Sequence, residues 1–323
     1  MTLNRRKALI QLAASAVLSP ATMASESQTP LRLLLGFAPG GTVDVVARML
    51  AEALRSSLAK SVLVEYKPGA GQRLALNELR RTPADGRTLF VGTLSPFTIA
   101  PHIIRNLDYD PVHDFTPVAR LVTFDACVAT GPATGANNMQ QLIAWLRLNP
   151  NKAAYGTPGN GTQPHFTGFA LGQAIGVPMV HIPYKGGNLP LNDLIGGQIP
   201  LIINTLPELV ETHRSGKIRI VAVTGSKRSA LLPEIPTLHE LKIPLQADNS
   251  VVVYAPSMMS PALLKSINEE LVSAVNSPAM KSRFNQHGLI ASPSTSEQLA
   301  QIQAAEKPYL GRIIKASGYV QSE

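Results

Sequence analysis

Residues 31–54 read LRLLLGFAPGGTVDVVARMLAEAL, and this stretch decides the fold class. Residues 31–37 are mostly apolar, as in a strand buried on both faces. After a turn rich in glycine, apolar residues recur at helical spacing from Val43 through Val46 to Leu50 and Leu54. The stretch predicts a buried strand, a tight turn and an amphipathic helix, which together form the basic unit of an α/β protein.

The same alternation recurs along most of the chain. Further predicted strands lie at residues 62–65, 88–92, 153–156, 179–183, 201–204 and 218–224, each followed by a turn and a helical pattern. Near the end, Pro261 and Pro278 open two predicted helices, and residues 296–317 form a long last one. This alternation favours parallel sheets with helices on both faces, and a length of 323 residues suits two such lobes.

Composition excludes several classes of protein. Hydrophobic residues make up 45% of the chain, which allows a sizeable core and rules out a disordered protein. The single cysteine, Cys127, excludes an internal disulfide framework, a four-cysteine zinc site and iron–sulfur ligation. The formal net charge of +8 leaves nucleic acid, an anionic membrane surface and acidic small molecules open as partners.

The N-terminus has the three parts of a secretory signal peptide. Basic residues at 5–7 precede an apolar stretch at 8–18, and small residues lead to a cleavage site after Ala24. The apolar stretch is about half of the roughly 20 residues that a membrane-spanning helix needs. We expect residues 1–24 to be removed on export to the periplasm. The paired arginines are a feature of twin-arginine export, but the flanking Asn4 and Lys7 do not decide between this route and the general secretory one. Removal lowers the formal net charge to about +5.

The turn between the first strand and helix is a candidate anion site. Gly40 and Gly41 let a ligand approach the backbone, and the first N–H groups of a helix carry a partial positive charge. Thr42 is the expected N-cap, and Asp44 lies in the first helical turn. The plain alternative is that the glycines only permit a tight turn and Asp44 is an ordinary acid at a helix start.

Polar residues also gather at the ends of later predicted strands. Two more glycine-containing turns lie at residues 156–162 and 183–187, and polar side chains follow the strand at 88–92. The donors in these places are Thr93, Ser95, Thr157, Asn160, Thr162 and Tyr184. Lys185 either attracts an anion or is simply solvated.

Enzymatic and nucleic-acid functions lack their usual signals. The chain has no phosphate-binding loop, dinucleotide fingerprint, nucleophile elbow or zinc-protease motif, and its seven histidines are scattered. Its basic residues are dispersed and its aromatic residues make up only 5%, whereas single-strand binders need basic grooves with stacking platforms.

Several ordered motifs resemble those of a known family. They are GFAPGGTVDVVAR (36–48), EYKPGAG (65–71), DGRTL (85–89), YDPVHDFTPV (109–118), YGTPGNGT (155–162), HIPYKGG (181–187) and DLIGGQ (193–198). In order and spacing they closely resemble the tripartite tricarboxylate transporter substrate-binding proteins, also called Bug receptors. The resemblance spans nearly the whole chain after the predicted signal peptide.

This resemblance implies a periplasmic-binding-protein-like fold of type II, with two doubly wound α/β lobes joined by a hinge. Lobe 1 would comprise residues 25–127 and 248–323, and lobe 2 residues 128–247. A small carboxylate would bind in the cleft between them, without a cofactor or metal ion. The residues that the resemblance implies for binding are Phe37, Ala38, Pro39, Gly40, Gly41, Asp44, Ser95, Thr157, Gly161, Thr162, Tyr184 and Asn204.

The chain departs from the family pattern in a few places. Gln72 and Ala75 stand where the family usually has glycine, and Tyr66 and Arg87 replace a frequent asparagine and tyrosine. Asn204 stands where many relatives have an aspartate facing the cleft. Because a neutral amide lacks the charge that would attract an ammonium group, Asn204 makes an amino-acid ligand less favourable.

The leading hypothesis is a monomeric periplasmic receptor that closes over a small organic carboxylate and delivers it to a membrane transporter. A second hypothesis keeps the cleft but makes the partner a membrane signalling protein that reads ligand occupancy. A third, a secreted hydrolase, needs a nucleophile and a base in hydrogen-bonding reach, which the sequence does not single out.

Overall fold

The computed structural model of this chain describes residues 30–55, 61–245 and 248–320. The predicted signal peptide lies outside the described residues, as do residues 246–247 at the predicted end of lobe 2. Within the described ranges, no helix combines the length and the apolar character needed to cross a membrane.

The described strands form one mixed sheet. They are β1 (Leu31–Leu35), β2 (Val62–Tyr66), β3 (Thr88–Gly92), β4 (Phe115–Thr130), β5 (Ala154–Thr157), β6 (Val180–Pro183), β7 (Leu201–Thr205), β8 (Arg219–Val223), β9 (Asp248–Pro256) and β10 (Ile290–Ala291). The strand order is β2-β1-β3-β9-β4-β7-β5-β6, and β8 and β10 also pair with β4. Every strand predicted from an apolar run is present, with its ends shifted by two residues at most.

The sheet is parallel at its two ends and antiparallel in its middle. β1 pairs in parallel with β2 and β3, and β5 pairs in parallel with β6 and β7. The predicted parallel pairing is therefore confirmed for these strands. It does not extend to β4 and β9, which are antiparallel to each other. β4 is also antiparallel to β7 and to β8, the strand predicted at 218–224, and β9 is antiparallel to β3.

The long strand β4 connects the two halves of the sheet. Its first part pairs with β9, and residues 126–130 pair with β7 and β8. Just before β4 passes from pairing with β9 to pairing with β7, its Phe124 lies opposite Asn249 of β9. Cys127 follows in the fully buried part of β4, where burial raises the pKa of its thiol far above the ordinary value.

Helices cover the sheet. They are α1 (Thr42–Leu54), α2 (Arg73–Leu79), α3 (Ser95–Thr98), α4 (Ala100–Ile103), α5 (Met139–Leu148), α6 (Gln163–Ile175), α7 (Asn188–Ile195), α8 (Leu206–Arg214), α9 (Pro261–Asn276), α10 (Pro278–Gln286) and α11 (Ser296–Ser317). The bounds of the last three agree with the prediction. The prediction that Thr42 is the N-cap of the first helix is wrong, because Gly41 is the N-cap and Thr42 is already the first helical residue.

Alternating residues of β1 show why helices lie on both faces of the sheet. Leu33 and Leu35 pack in one buried cluster with α1, whereas Leu34 points the other way into a second cluster with Leu76 and Phe97. Burial of each leucine side chain contributes about 1.5–3 kcal/mol to folding. The second half of the sheet has two buried clusters of its own, so that the chain forms two α/β lobes.

Candidate ligand-binding site

A cavity of about 180 Å³ lies where the two halves of the sheet face each other. One wall is the turn between β1 and α1, and the opposite wall is built by the turns after β5 and β6 and by the start of α8. We call this cavity the cleft. It is smaller than the roughly 300–1,000 Å³ of sites for drug-sized ligands, and therefore suits a small molecule.

The turn before α1 is shaped by Asp44 rather than by a ligand. Gly40 has φ of +97°, a conformation that favours glycine, and its N–H donates to Asp44 Oδ2 at 2.8 Å. Arg48 Nε and the Tyr66 hydroxyl both donate to Asp44 Oδ1, at 2.8 Å and 2.6 Å. Burial alone would raise the pKa of Asp44, but these hydrogen bonds from Tyr66, Gly40 and Arg48 outweigh it and lower the pKa. Asp44 borders the cleft, yet its carboxylate is already engaged.

Glu208 brings a carboxylate from the second half of the molecule to the start of α1. Its Oε1 accepts hydrogen bonds from the backbone N–H and the hydroxyl of Thr42, both at 3.3 Å. Thr42 Oγ1 also lies 3.4 Å from Thr205 Oγ1. Among the described residues, Glu208 forms no ion pair. The partly positive helix start therefore already binds one carboxylate oxygen, which comes from the chain itself.

Glycine at position 187 makes room for this arrangement. A Cβ atom at Gly187 would overlap Glu208 Oε2 and would lie 2.8 Å from Asn204 Nδ2. Asn204 Nδ2 donates to the carbonyl of Gly187 at 3.1 Å, and Asn204 Oδ1 accepts from the N–H of Thr205 at 2.8 Å. Asn204 is fully buried and joins the end of β7 to the turn that contains Gly187. It does not line the cleft.

On the second wall, two histidines support the turn after β5. His181 Nε2 lies 2.7 Å from Thr157 Oγ1, and the N–H of Gly161 donates to His165 Nδ1 at 3.3 Å. The two imidazole rings stack with centroids 3.8 Å apart. Burial lowers the pKa of His165 to about 4, and burial together with the charge of His165 lowers that of His181 to about 3. Both rings are therefore neutral at pH 7.

The structure divides the residues expected to bind a ligand into two groups. Seven of them line the cleft, and these are Phe37, Ala38, Pro39, Gly41, Asp44, Ser95 and Thr162. The carboxylate of Asp44 and the hydroxyl of Thr162 are already engaged within the protein. Five lie outside the lining and support it, and these are Gly40, Thr157, Gly161, Tyr184 and Asn204. The Tyr184 hydroxyl, for example, donates to Asp193 at 2.6 Å, and burial and Asp193 raise its pKa to about 12.

Gln72, which stands where the family usually has glycine, also supports the cleft. It is buried with φ of +76°, next to Gly36 and Gly92, whose lack of side chains leaves it space. Its amide donates to Thr93 Oγ1 at 2.7 Å and accepts from the Thr93 N–H at 3.1 Å. This pairing fixes Thr93 in the cleft wall.

Sequence reasoning missed four polar residues of the cleft, which are Asn188, Thr205, Glu208 and Asn249. Glu208 had a signal in the sequence, because it is an acid in the first helical turn after the strand predicted at 201–204. Asn249 had none, since the strand that carries it was not predicted. In the part of the chain that the structure describes, histidine, cysteine and acidic residues form no group of three that could hold a metal ion.

Comparison with known proteins agrees with this architecture. The model of the tripartite tricarboxylate transporter family receptor matches residues 46–319. The UPF0065 protein in the gbd 5'region of Cupriavidus necator is 30% identical over 96% of both chains. Among solved structures, R. palustris Rpa4515 with adipate is 26% identical, with a TM-score of 0.86 over 90% of this chain and 98% of its own. The periplasmic binding protein BugD is 28% identical, with a TM-score of 0.83 over 91% and 99%. The chain thus belongs to the tripartite tricarboxylate transporter family of receptors.

Proposed function

We propose that this protein is a periplasmic receptor that encloses a small carboxylate between its lobes and delivers it to a tripartite tricarboxylate-type membrane transporter. The observation that carries this proposal is the contact between Glu208 and Thr42, because it identifies two groups within the cleft that donate hydrogen bonds to a carboxylate oxygen. The adipate in the similar R. palustris protein supports the same class of ligand.

In this proposal the ligand carboxylate takes the place of Glu208 Oε1 at the start of α1. Backbone donors at a helix start bind anions without a buried cation. Ser95 adds a hydroxyl group from the side of the first lobe, and Lys185 contributes a positive charge at the exposed edge of the cleft. Phe37, Pro39 and Phe124 provide apolar contacts for the carbon chain of the ligand.

The lobe boundaries remain those proposed from the sequence. Lobe 1 takes residues 25–127 and 248–323, and lobe 2 takes 128–247, with β4 and β9 as the connecting strands. Closure by rotation about such strands would bury the ligand and change the outer surface that a membrane partner reads. Binding and release need no bond to be made or broken, and we propose that the protein has no catalytic activity.

Calorimetry against a broad panel of organic acids, with adipate included, tests the binding step. We expect saturable binding of at least one carboxylate, together with a smaller radius of gyration by X-ray scattering. A complete lack of binding across the panel would count decisively against the proposed function. Turnover of ester or phosphate substrates by the purified protein would instead support a hydrolase.

Delivery to a transporter needs a separate experiment in cells. Uptake of the identified acid should be lost when the gene is deleted and restored by the wild-type chain. If uptake persists in the deletion strain while a transcriptional response to the acid disappears, the receptor serves a signalling protein and the transport proposal is wrong.

A further inference from the structure

Asn249 lies on β9, close to the point where the chain crosses between the two halves of the sheet. Its side chain lines the cleft beside Phe124, its register partner on β4. Only 6% of the residue is exposed. Asn249 is therefore a polar residue in the connecting strands that borders the proposed binding site.

The amide nitrogen of Asn249 has no hydrogen-bond partner. Across residues 30–55, 61–245 and 248–320, only two buried side-chain polar atoms lack one, Asn249 Nδ2 and Asn77 Oδ1. Asn77 lies on α2 outside the cleft, and its Nδ2 donates to Asp108. A buried donor without an acceptor costs about 1–3 kcal/mol, so its presence requires an explanation.

Several other polar groups around the cleft already have partners within the protein. Thr42 is paired with Glu208, Thr93 with Gln72, and the Thr162 hydroxyl donates to the carbonyl of Gly159 at 2.8 Å. Each of these polar groups thus has a hydrogen-bond partner from the protein itself. The NH2 group of the Asn249 amide, by contrast, can only donate, and the residue borders a cavity that holds a ligand under the proposed function.

We propose that the Asn249 amide turns toward the cleft so that Nδ2, which is buried and unpaired, donates to a second acceptor oxygen of the ligand, beyond the carboxylate bound at α1. This inference rests on the proposed function and deepens it, because it makes Asn249 a specificity-determining residue. A site built around a buried donor rejects an analogue that lacks the matching acceptor, since the donor then stays unpaired. The receptor thus selects acids with two oxygen-bearing groups over simple fatty acids of the same length.

Matched pairs of acids test the inference directly. Adipate with hexanoate, glutarate with pentanoate and succinate with butanoate each differ by one terminal carboxylate. Affinities for the pair whose diacid binds wild type best should be measured for wild type, Asn249→Leu and Asn249→Ala. We expect wild type to prefer the diacid at least tenfold. Both variants should lose at least tenfold for the diacid and less than twofold for the monoacid.

Two controls separate binding from folding. Ser250→Ala changes the next residue of β9, which does not line the cleft, and should bind like wild type. In thermal unfolding without ligand, Asn249→Ala should be no less stable than wild type beyond the effect of its lost volume, because no hydrogen bond is removed. Two substitutions of different size guard against a steric effect of either one.

The possible failures are distinguishable. If wild type binds diacids and both variants bind them equally well, the role of Asn249 is overturned and the proposed function stands. If wild type prefers monoacids to the matching diacids, the role of Asn249 is likewise overturned and the proposed function stands. If wild type binds no carboxylate at all, the proposed function itself fails.

Discussion

Replacement of Glu208 by glutamine is expected to strengthen carboxylate binding, which is unusual for a residue that lines a binding site. Glu208 Oε1 rests on the N–H and the hydroxyl of Thr42, the donors that we assign to the ligand. A ligand carboxylate must therefore displace Glu208 and remain close to its negative charge. Glutamine preserves the size and shape of the side chain and removes the charge.

The magnitude follows from Coulomb's law. Two like charges about 4 Å apart repel by about 1 kcal/mol in water and about 4 kcal/mol at an effective dielectric constant near 20. Glu208 is only half-buried, so the lower part of this range applies. We expect a gain of about 1–2 kcal/mol, which corresponds to roughly five- to thirty-fold tighter binding. A dicarboxylate, with two charges, should gain more than a monocarboxylate.

Isothermal titration calorimetry at pH 7.5, at low and high salt, measures this effect. The gain should shrink at high salt, because salt screens partly exposed charges. Glu211→Gln is the matched control, since Glu211 lies on the same helix, is exposed and pairs with Arg214 at 2.8 Å. Weaker binding by Glu208→Gln would refute the reasoning. It would show that Glu208 pairs with a cationic group of the ligand instead.

Three further changes test other parts of the structure. Gly41→Val should weaken carboxylate binding at least tenfold, or about 1.4 kcal/mol. The reason is that the valine Cβ would lie 3.4 Å from Glu208 Oε1, where the ligand carboxylate must approach. Calorimetry measures the affinity, and an unchanged affinity in a folded variant would reject this placement of the carboxylate. The free energy of unfolding should fall as the pH drops from about 6.5 to about 4. In this range the unfolded chain takes up protons on His165 and His181, whereas the folded chain keeps both rings neutral. Thermal unfolding across this range should show a smaller fall for His181→Gln than for wild type, and equal slopes would contradict the assignment. Gly168→Ala should lower the free energy of unfolding by about 1–3 kcal/mol, because the added methyl group overlaps the buried ring of Tyr155; urea denaturation measures it, and an unchanged midpoint would show that the ring moves freely.

The elements that the sequence predicted well are those whose signal is local. The strand at 31–35, its glycine turn and helix α1 are encoded by consecutive residues, and so are the three helices at the C-terminus. β4 and β9 were missed although they form the middle of the sheet. Their pairing is antiparallel and joins residues more than a hundred positions apart, which no local periodicity records.

The motifs located the binding region but not the direction of each side chain. Thr157 and Tyr184 lie next to the cleft, yet their hydroxyl groups bond to His181 and Asp193. The backbone N–H of Gly161 likewise bonds to His165. The motif residues thus include some that shape the turns and others that face the ligand. Only the packing of neighbouring elements separates the two groups.

Asn204 is another motif residue whose side chain does not line the cleft. The sequence suggested that a neutral amide at this place disfavours a ligand ammonium group, but Asn204 is buried behind the wall and satisfied by backbone partners. The charges that line the cleft are those of Asp44, Lys185 and Glu208. Asp44 is neutralised by Arg48 at 2.8 Å, so Lys185 and Glu208 set the local balance. With these two opposite charges nearly cancelling, the preference for an anion depends on the backbone donors of α1, which the net charge of the chain does not count.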